Sequence, residues 1–149
     1  MALEAGQQAP EFEATDQHGQ SRTLSGLLED GPVVLFFYPK AMTKGCTAES
    51  CHFRDLAAEF AEVGAQRVGI SADGVDRQLE FDEKHDLGYP LLADVDQSIA
   101  QAYGVKRRLL PASKRQTFVI DTDRTLRAVI ASEMNMDVHA DEALEALRA

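Results

Sequence analysis

The sequence predicts an α/β fold with a mixed central β-sheet flanked by helices and an N-terminal β-hairpin. Three observations predict it. The run PVVLFFYP at 32–39 is apolar at consecutive positions and closed by a proline at each end, which reads as a strand buried on both faces. After it, helix-like and strand-like patterns alternate as far as residue 103. Two further strand patterns joined by a polar turn, and then a closing helix, complete the chain.

Taken in order, Phe12 and Ala14 alternate with acidic residues, and Asp16-Gln17-His18-Gly19-Gln20 reads as a turn, giving the N-terminal hairpin. Leu24 to Leu28 is one helical turn, followed by the buried strand. From Thr47 to Val63 the apolar residues Phe53, Leu56, Ala57, Phe60 and Val63 or Gly64 form one helical stripe. Arg67 to Ser71 reads as a strand. Val75 to His85 reads as a charged helix with Leu79 and Phe81 as its apolar residues. Leu91 to Ala93 is a short strand, and Ser98 to Tyr103 a short helix ended by Gly104. Gln116 to Ile120 and Leu126 to Ile130 form a hairpin across Asp121-Thr122-Asp123-Arg124, and Asp141 to Arg148 is the terminal helix.

The 149 residues fit a single domain spanning 1–149, long enough for one core without disulfide staples. A composition of 44% hydrophobic and 27% charged residues is that of an ordinary globular protein. The net charge of −10 argues against nucleic acid and against an anionic membrane surface as partners. The N-terminal residues lack the basic and apolar regions of a signal peptide, and the longest apolar run, Val33 to Tyr38, is too short to span a bilayer. A cytoplasmic location is therefore expected. There, two cysteines point to catalysis, redox chemistry or metal binding rather than to a permanent staple.

Both cysteines lie in YPKAMTKGCTAESCHF, residues 38–53. Cys46 falls at the turn from the buried strand into a helix N-terminus, at the carboxyl edge of the sheet where open α/β folds place their sites. Free N–H groups and the helix dipole favour a thiolate at that position, against the alternative of an inert buried thiol. Gly45 permits a tight turn, Thr43 offers a hydroxyl and Lys44 adds a positive charge. With Phe53 as zero and about 100° per residue, Cys46 projects at about +20° and Glu49 at about −40°, both on the buried side, while Cys51 projects at about 160°. A buried acid needs a cation nearby. Alternatively, Glu49 is solvated at the helix start and only complements the dipole.

Residues i and i+5 of an intact helix have Cα atoms roughly 8–9 Å apart, beyond the ~7 Å limit of a disulfide. If Cys46 and Cys51 ever bond, the helix start must first unwind.

The segment Pro39-Lys40-Ala41-Met42-Thr43-Lys44-Gly45-Cys46 resembles the P-x-x-x-T-x-x-C motif of peroxiredoxins. With a second cysteine five positions on, it is similar to the bacterioferritin-comigratory, or Q-type, group. GQQAPEF, DQHGQ, VVLFFYPK, GISAD and RQTFVIDTD extend the resemblance over nearly the whole chain. It implies a thioredoxin-like fold and a thiol peroxidase with no metal or organic cofactor, acting on hydrogen peroxide and organic hydroperoxides. By the same resemblance Cys46 is the peroxidatic thiolate, and Cys51 the resolving cysteine of an intramolecular disulfide. Thr43 and the Cys46 N–H orient the peroxide, Pro39 shields the pocket, Arg115 stabilises the thiolate and the departing oxygen, and Glu49 orients Arg115. A thioredoxin-like or glutaredoxin-like protein would be the reductant. The resemblance implies a monomer for this group, with dimers known among peroxiredoxins generally. The chain departs from the group at Lys44, where Pro is usual, and in a segment between Gly104 and Arg115 shorter than in many relatives.

Other signals are weaker. Lys106, Arg107, Arg108, Lys114 and Arg115 place five of the 15 basic residues in ten positions, a patch that is either solvated or steers a peroxide anion or an acidic reductant. His18, His52, His85 and His139 are scattered, and Cys-x4-Cys-His lacks zinc spacing. Asp94-Val95-Asp96 and Asp121-Thr122-Asp123 read as turns, no phosphate-binding glycine pattern occurs, and Tyr38, Met134 and Met136 read as packing or surface residues. Two other functions use the same cysteines: a protein thiol–disulfide oxidoreductase, which the x4 spacing disfavours, and a non-enzymatic redox sensor.

Overall fold

The computed structural model describes residues 3–110 and 112–149. Thirteen elements follow one another: β1 (Glu13–Asp16), β2 (Ser21–Thr23), α1 (Leu24–Leu28), β3 (Val33–Phe37), α2 (Lys44–Asp55), α3 (Ala57–Glu62), β4 (Gln66–Ser71), α4 (Val75–His85), β5 (Leu91–Ala93), α5 (Ser98–Ala102), β6 (Gln116–Ile120), β7 (Leu126–Ala131) and α6 (Asp137–Arg148). The strands form one seven-stranded mixed sheet in the order β2-β1-β5-β4-β3-β6-β7. The β1–β2 pair is the expected N-terminal hairpin.

The apolar run 33–38 explains the sheet's centre. β3 pairs parallel with β4 and antiparallel with β6, and every residue of it is buried. Because side chains alternate along a strand, Val33, Leu35 and Phe37 enter one core with Leu24, Leu27, Ile99 and Tyr103. Val34, Phe36 and Tyr38 enter the other core, with Cys46, Phe53, Phe60, Phe81 and Leu144. Helices α1 and α5 cover the first face; α2, α3, α4 and α6 cover the second.

Three elements depart from the sequence expectation. The helix expected from Thr47 to Val63 starts at Lys44 and breaks at Leu56, whose ψ of 20° separates α2 from α3. The Phe53 carbonyl, which would accept the next helical N–H, instead accepts Arg67 Nη1 at 3.0 Å. The apolar stripe is broken with it, so Phe53 and Phe60 are buried while Ala57 is exposed. The terminal helix begins at Asp137 rather than Asp141, with an acid in its first turn complementing the dipole. The face that α4 buries is carried by Phe81 and Gln78 rather than by Leu79. Gln78 accepts the Tyr38 hydroxyl at 2.5 Å and donates to the Leu92 carbonyl at 2.8 Å, which satisfies its burial.

Candidate active site

The chain leaves β3 at its carboxyl end and crosses to α2 through residues 38–43. Asp73, just beyond β4, fixes this crossing: its Oδ2 accepts the Ala41 N–H at 2.7 Å and the Ser71 hydroxyl at 2.6 Å. Met42 has φ +67°, a left-handed conformation costly for a side chain of its size. Thr43 is the N-cap residue of α2, yet its hydroxyl donates to the Lys40 carbonyl at 2.9 Å and caps no helix amide. The first helical bond of α2 runs from the Thr47 N–H to the Thr43 carbonyl at 2.9 Å. The amides of Lys44, Gly45 and Cys46 thus lie ahead of the ladder with no side-chain cap, a geometry suited to negative charge.

Cys46 is fully buried there, and its Sγ accepts Arg115 Nη2–H at 3.3 Å. The other guanidinium nitrogen, Nη1, donates to Glu49 Oε1 at 2.7 Å. Glu49 is fully buried, so of its two sequence readings the paired acid is the one found. Burial pushes the Glu49 carboxyl up to about 8 against the opposing pull of Arg115. Burial also works against the Arg115 charge, but Glu49 and Cys46 together hold its pKa above the ordinary arginine value.

Cys51 lies within the same unbroken helix, half-buried, and both thiols are free. Burial pushes the Cys51 thiol up. The two ends of α2 are held unequally. Its start has no cap, whereas the Tyr89 hydroxyl donates to the Ser50 carbonyl at 2.7 Å, and Arg54 Nη1 donates to the His85 carbonyl at 2.7 Å. Phe53 also stacks on Phe36, with ring centroids 4.1 Å apart.

Several residues stand at the site in ways the sequence did not indicate. Gly45 has no left-handed φ; it is needed for close approach, since a Cβ there would lie 3.3 Å from Arg115 Nη2 and 3.4 Å from Met136 Sδ. This corrects the turn role expected of Gly45 and brings Met136, read as filler, to the site. His139, read as scattered, is fully buried with Nδ1 3.6 Å from Glu49 Oε2. Starting the terminal helix at Asp137 would have placed His139 on the same stripe as Ala143, four residues on. Glu133 accepts the Arg115 backbone N–H at 2.9 Å and pairs with Arg107 at 2.7 Å. Arg107 is thus tied into the fold, while Lys106, Arg108 and Lys114 are exposed. Lys44 is exposed at the first helical position, and Pro39 is half-buried ahead of the crossing. Among the described residues, no three His, Cys, Asp or Glu side chains converge as a metal ion would require, and no helix is long and apolar enough to cross a membrane.

A thiol buried at a strand-to-helix corner of a thioredoxin-like sheet, held between uncapped amides and an arginine, defines a thiol-based redox enzyme. Comparison with known proteins narrows the class. Residues 5–129 match the AhpC/TSA family. A putative peroxiredoxin of Mycobacterium tuberculosis is 58% identical over 99% of this chain and 97% of its own length. Peroxiredoxin Bcp of Bacillus subtilis is 38% identical over 99% and 97%. The crystal structure of peroxidoxin BcpB from M. tuberculosis, 58% identical, superposes with a TM-score of 0.95 over 98% of this chain and 97% of that one. Peroxiredoxin Q of Xanthomonas campestris, 28% identical, gives 0.85 over 92% and 89%. The chain belongs to the AhpC/TSA family and within it to the Bcp and Q-type peroxiredoxins, which are thiol peroxidases.

Proposed function

We propose that the chain is a single-domain, two-cysteine peroxidase in which Cys46 is the peroxidatic thiolate and Cys51 resolves it. The observation that carries this reading is the 3.3 Å contact of Arg115 Nη2 with Cys46 Sγ at an uncapped helix start. A Cys46 Sγ lone pair attacks the near oxygen of a hydroperoxide. The S–O bond forms, the O–O bond breaks, and the far oxygen leaves as water or an alcohol with the peroxide's own proton. Cys46 is oxidised to the sulfenate, which on protonation is the sulfenic acid, and the peroxide is reduced by two electrons. Arg115 and the amides ahead of the α2 ladder stabilise the negative charge throughout. Thr43, with its hydroxyl fixed on Lys40, and Pro39 shape the mouth through which the peroxide enters.

Resolution requires the start of α2 to unwind, because both cysteines lie in one continuous helix. The Cys51 thiolate then attacks Sγ of the Cys46 sulfenic acid; the S–S bond forms, the S–O bond breaks, and the hydroxyl leaves as water with the proton that Cys51 gave up. A dithiol protein of thioredoxin or glutaredoxin type reduces the disulfide and returns the helix. The reducing cytoplasm and a monomeric state belong to the same reading, and light scattering of the reduced and oxidised forms tests the latter. Complete burial of Cys46 disfavours the protein thiol–disulfide oxidoreductase reading, since admitting a protein disulfide needs a far wider opening of the site than admitting a hydroperoxide.

The test is peroxide consumption with thioredoxin and its reductase for wild type, Cys46→Ser and Cys51→Ser. Cys46→Ser is expected to be inactive. Cys51→Ser is expected to form one sulfenic acid per chain and to recycle poorly. Full activity in Cys46→Ser would refute the assignment, and a single turnover in wild type would favour the redox-sensor reading.

A further inference from the structure

Behind Arg115 the buried polar chain continues. One cation, Arg115, faces two fully buried acids, Cys46 and Glu49. If both acids ionise, one net negative charge stays in a water-free interior, which is strongly unfavourable. The neighbouring groups do not cancel it. Glu133 is exposed and already paired with Arg107 and the Arg115 backbone N–H. The buried Tyr89 phenol donates to the Ser50 carbonyl, and burial keeps it un-ionised. The remaining titratable neighbour is His139, from α6.

The hydrogen bonds of His139 fit a proton carrier. Its Nε2 lies 2.8 Å from the Ser132 carbonyl, which only accepts, so Nε2 carries a hydrogen in either charge state. Its Nδ1 lies 2.7 Å from the fully buried Thr117 hydroxyl. A hydroxyl both donates and accepts. Thr117 therefore donates to a neutral His139 and accepts from a charged one, without a change of partner. The Nδ1 edge also faces Glu49 Oε2 at 3.6 Å, and that oxygen has no hydrogen-bond partner. The free carboxyl oxygen thus lies beside the imidazole nitrogen, with the Thr117 hydroxyl on that nitrogen.

We propose that Glu49 and His139 hold one shared proton while Cys46 is a thiolate, and that with Thr117 they are positioning residues keeping the Arg115 charge directed at Cys46. The inference rests on the peroxidase reading of Cys46 and assigns regulation of that site to a pair two side chains away. When the pair loses its proton, the Glu49 carboxylate competes with the thiolate for one guanidinium. The peroxide step should then slow by about tenfold, equivalent to weakening one charge-assisted hydrogen bond. Burial supports the direction, since it lifts the Glu49 carboxyl and lowers the His139 imidazole, leaving the proton on the carboxyl at neutral pH.

Two measurements test the proposal on the full chain. Infrared difference spectra of the resting protein, which need no turnover, should show a carboxylic-acid carbonyl band. That band should vanish as the pH rises and be absent in Glu49→Gln. The single-turnover peroxide rate, followed from about pH 6 to about pH 10, should show an alkaline fall. Glu49→Gln should lack this fall. His139→Gln, whose amide N–H would favour the carboxylate, should move it to lower pH by about one unit. Thr117→Val should move the fall as well, and Thr117→Ser should restore it. An alkaline fall that persists in Glu49→Gln, or that keeps its midpoint in both His139→Gln and Thr117→Val, overturns the proposal. If His139→Gln does not fold, the Thr117 pair decides. Loss of the peroxidase reading alone would leave the infrared band in place.

Discussion

Replacing Gly45 by Ala perturbs the site by one methyl group. The added carbon would lie 3.3 Å from Arg115 Nη2 and 3.4 Å from Met136 Sδ, against about 3.5–4.0 Å for a relaxed contact. Met136 is half-buried and can yield. Arg115 cannot yield freely, because Nη1 is fixed on Glu49 at 2.7 Å. A retreat of a few tenths of an ångström must therefore lengthen the 3.3 Å bond from Nη2 to Cys46 Sγ. Weakening that bond by about 1 kcal/mol slows the peroxide step about fivefold. The same substitution strengthens the helix start, since Ala is favoured over Gly by up to about 1 kcal/mol in a helix. Opening of that turn, and with it disulfide formation, becomes about fivefold rarer. Rapid quench with mass spectrometry separates the two steps, because sulfenic acid and disulfide differ in mass. The expected result is a slower first step, a slower second step and a thermal midpoint that does not fall. Wild-type rates for both steps would refute the close approach and the unwinding together.

Three further outcomes follow from the same geometry. Arg115→Met should slow the peroxide step by about 10- to 150-fold, the worth of a hydrogen bond to a charged group. It should also lower stability by about 1–3 kcal/mol, because the buried Glu49 Oε1 and Cys46 Sγ lose their donor; an unchanged urea midpoint would show that these contacts carry no weight. Lys44→Pro places a residue favoured at the first helical position and removes a cation from the positive end of a helix. Disulfide formation should slow, and the first step should slow as well, because proline removes the Lys44 N–H from the amides ahead of the ladder; faster disulfide formation in rapid quench would contradict this. Stability should depend on pH through Glu49. Its folded pKa of about 8 is above the unfolded value, so the unfolded chain binds fewer protons between the two. That contribution is complete below the unfolded value and is lost as pH rises through about 8. Glu49→Gln should flatten this part of the urea-midpoint profile, and parallel profiles would exclude it. His139, whose imidazole burial lowers, acts oppositely, its contribution being lost as pH falls below the ordinary histidine range.

The central architecture was legible because PVVLFFYP is a short apolar run, rich in β-branched and aromatic residues and bounded by prolines, which fits a strand covered on both faces. Cys46, Glu49 and Arg115 were legible from the motif and from projecting one helix. The break at Leu56 was not, because the Phe53 carbonyl that it frees is taken by Arg67, eleven residues beyond Leu56. No Gly or Pro marks it. His139 was missed for a related reason. Its helix was started four residues late, and a lone histidine carries no sign of which carboxylate it faces. Gly45 shows the limit of local reasoning: the sequence suggests a turn, while the structure requires the absence of a side chain beneath an arginine that enters from the start of β6.

Arg115 has one nitrogen on each of two acids, and in the proposed cycle Cys46 is the acid that leaves it. Glu49 follows Cys46 by three residues, nearer the end anchored by Phe53, Tyr89 and Arg54. On that proposal, departure of Cys46 toward Cys51 takes away one tether of the guanidinium, and the Nη1 contact with Glu49 is the one that can hold it. It then works as a mooring: the vacated berth keeps its shape and charge while the thiol is away. The returning helix closes onto a template already in place, so each catalytic cycle can begin without rebuilding the pocket.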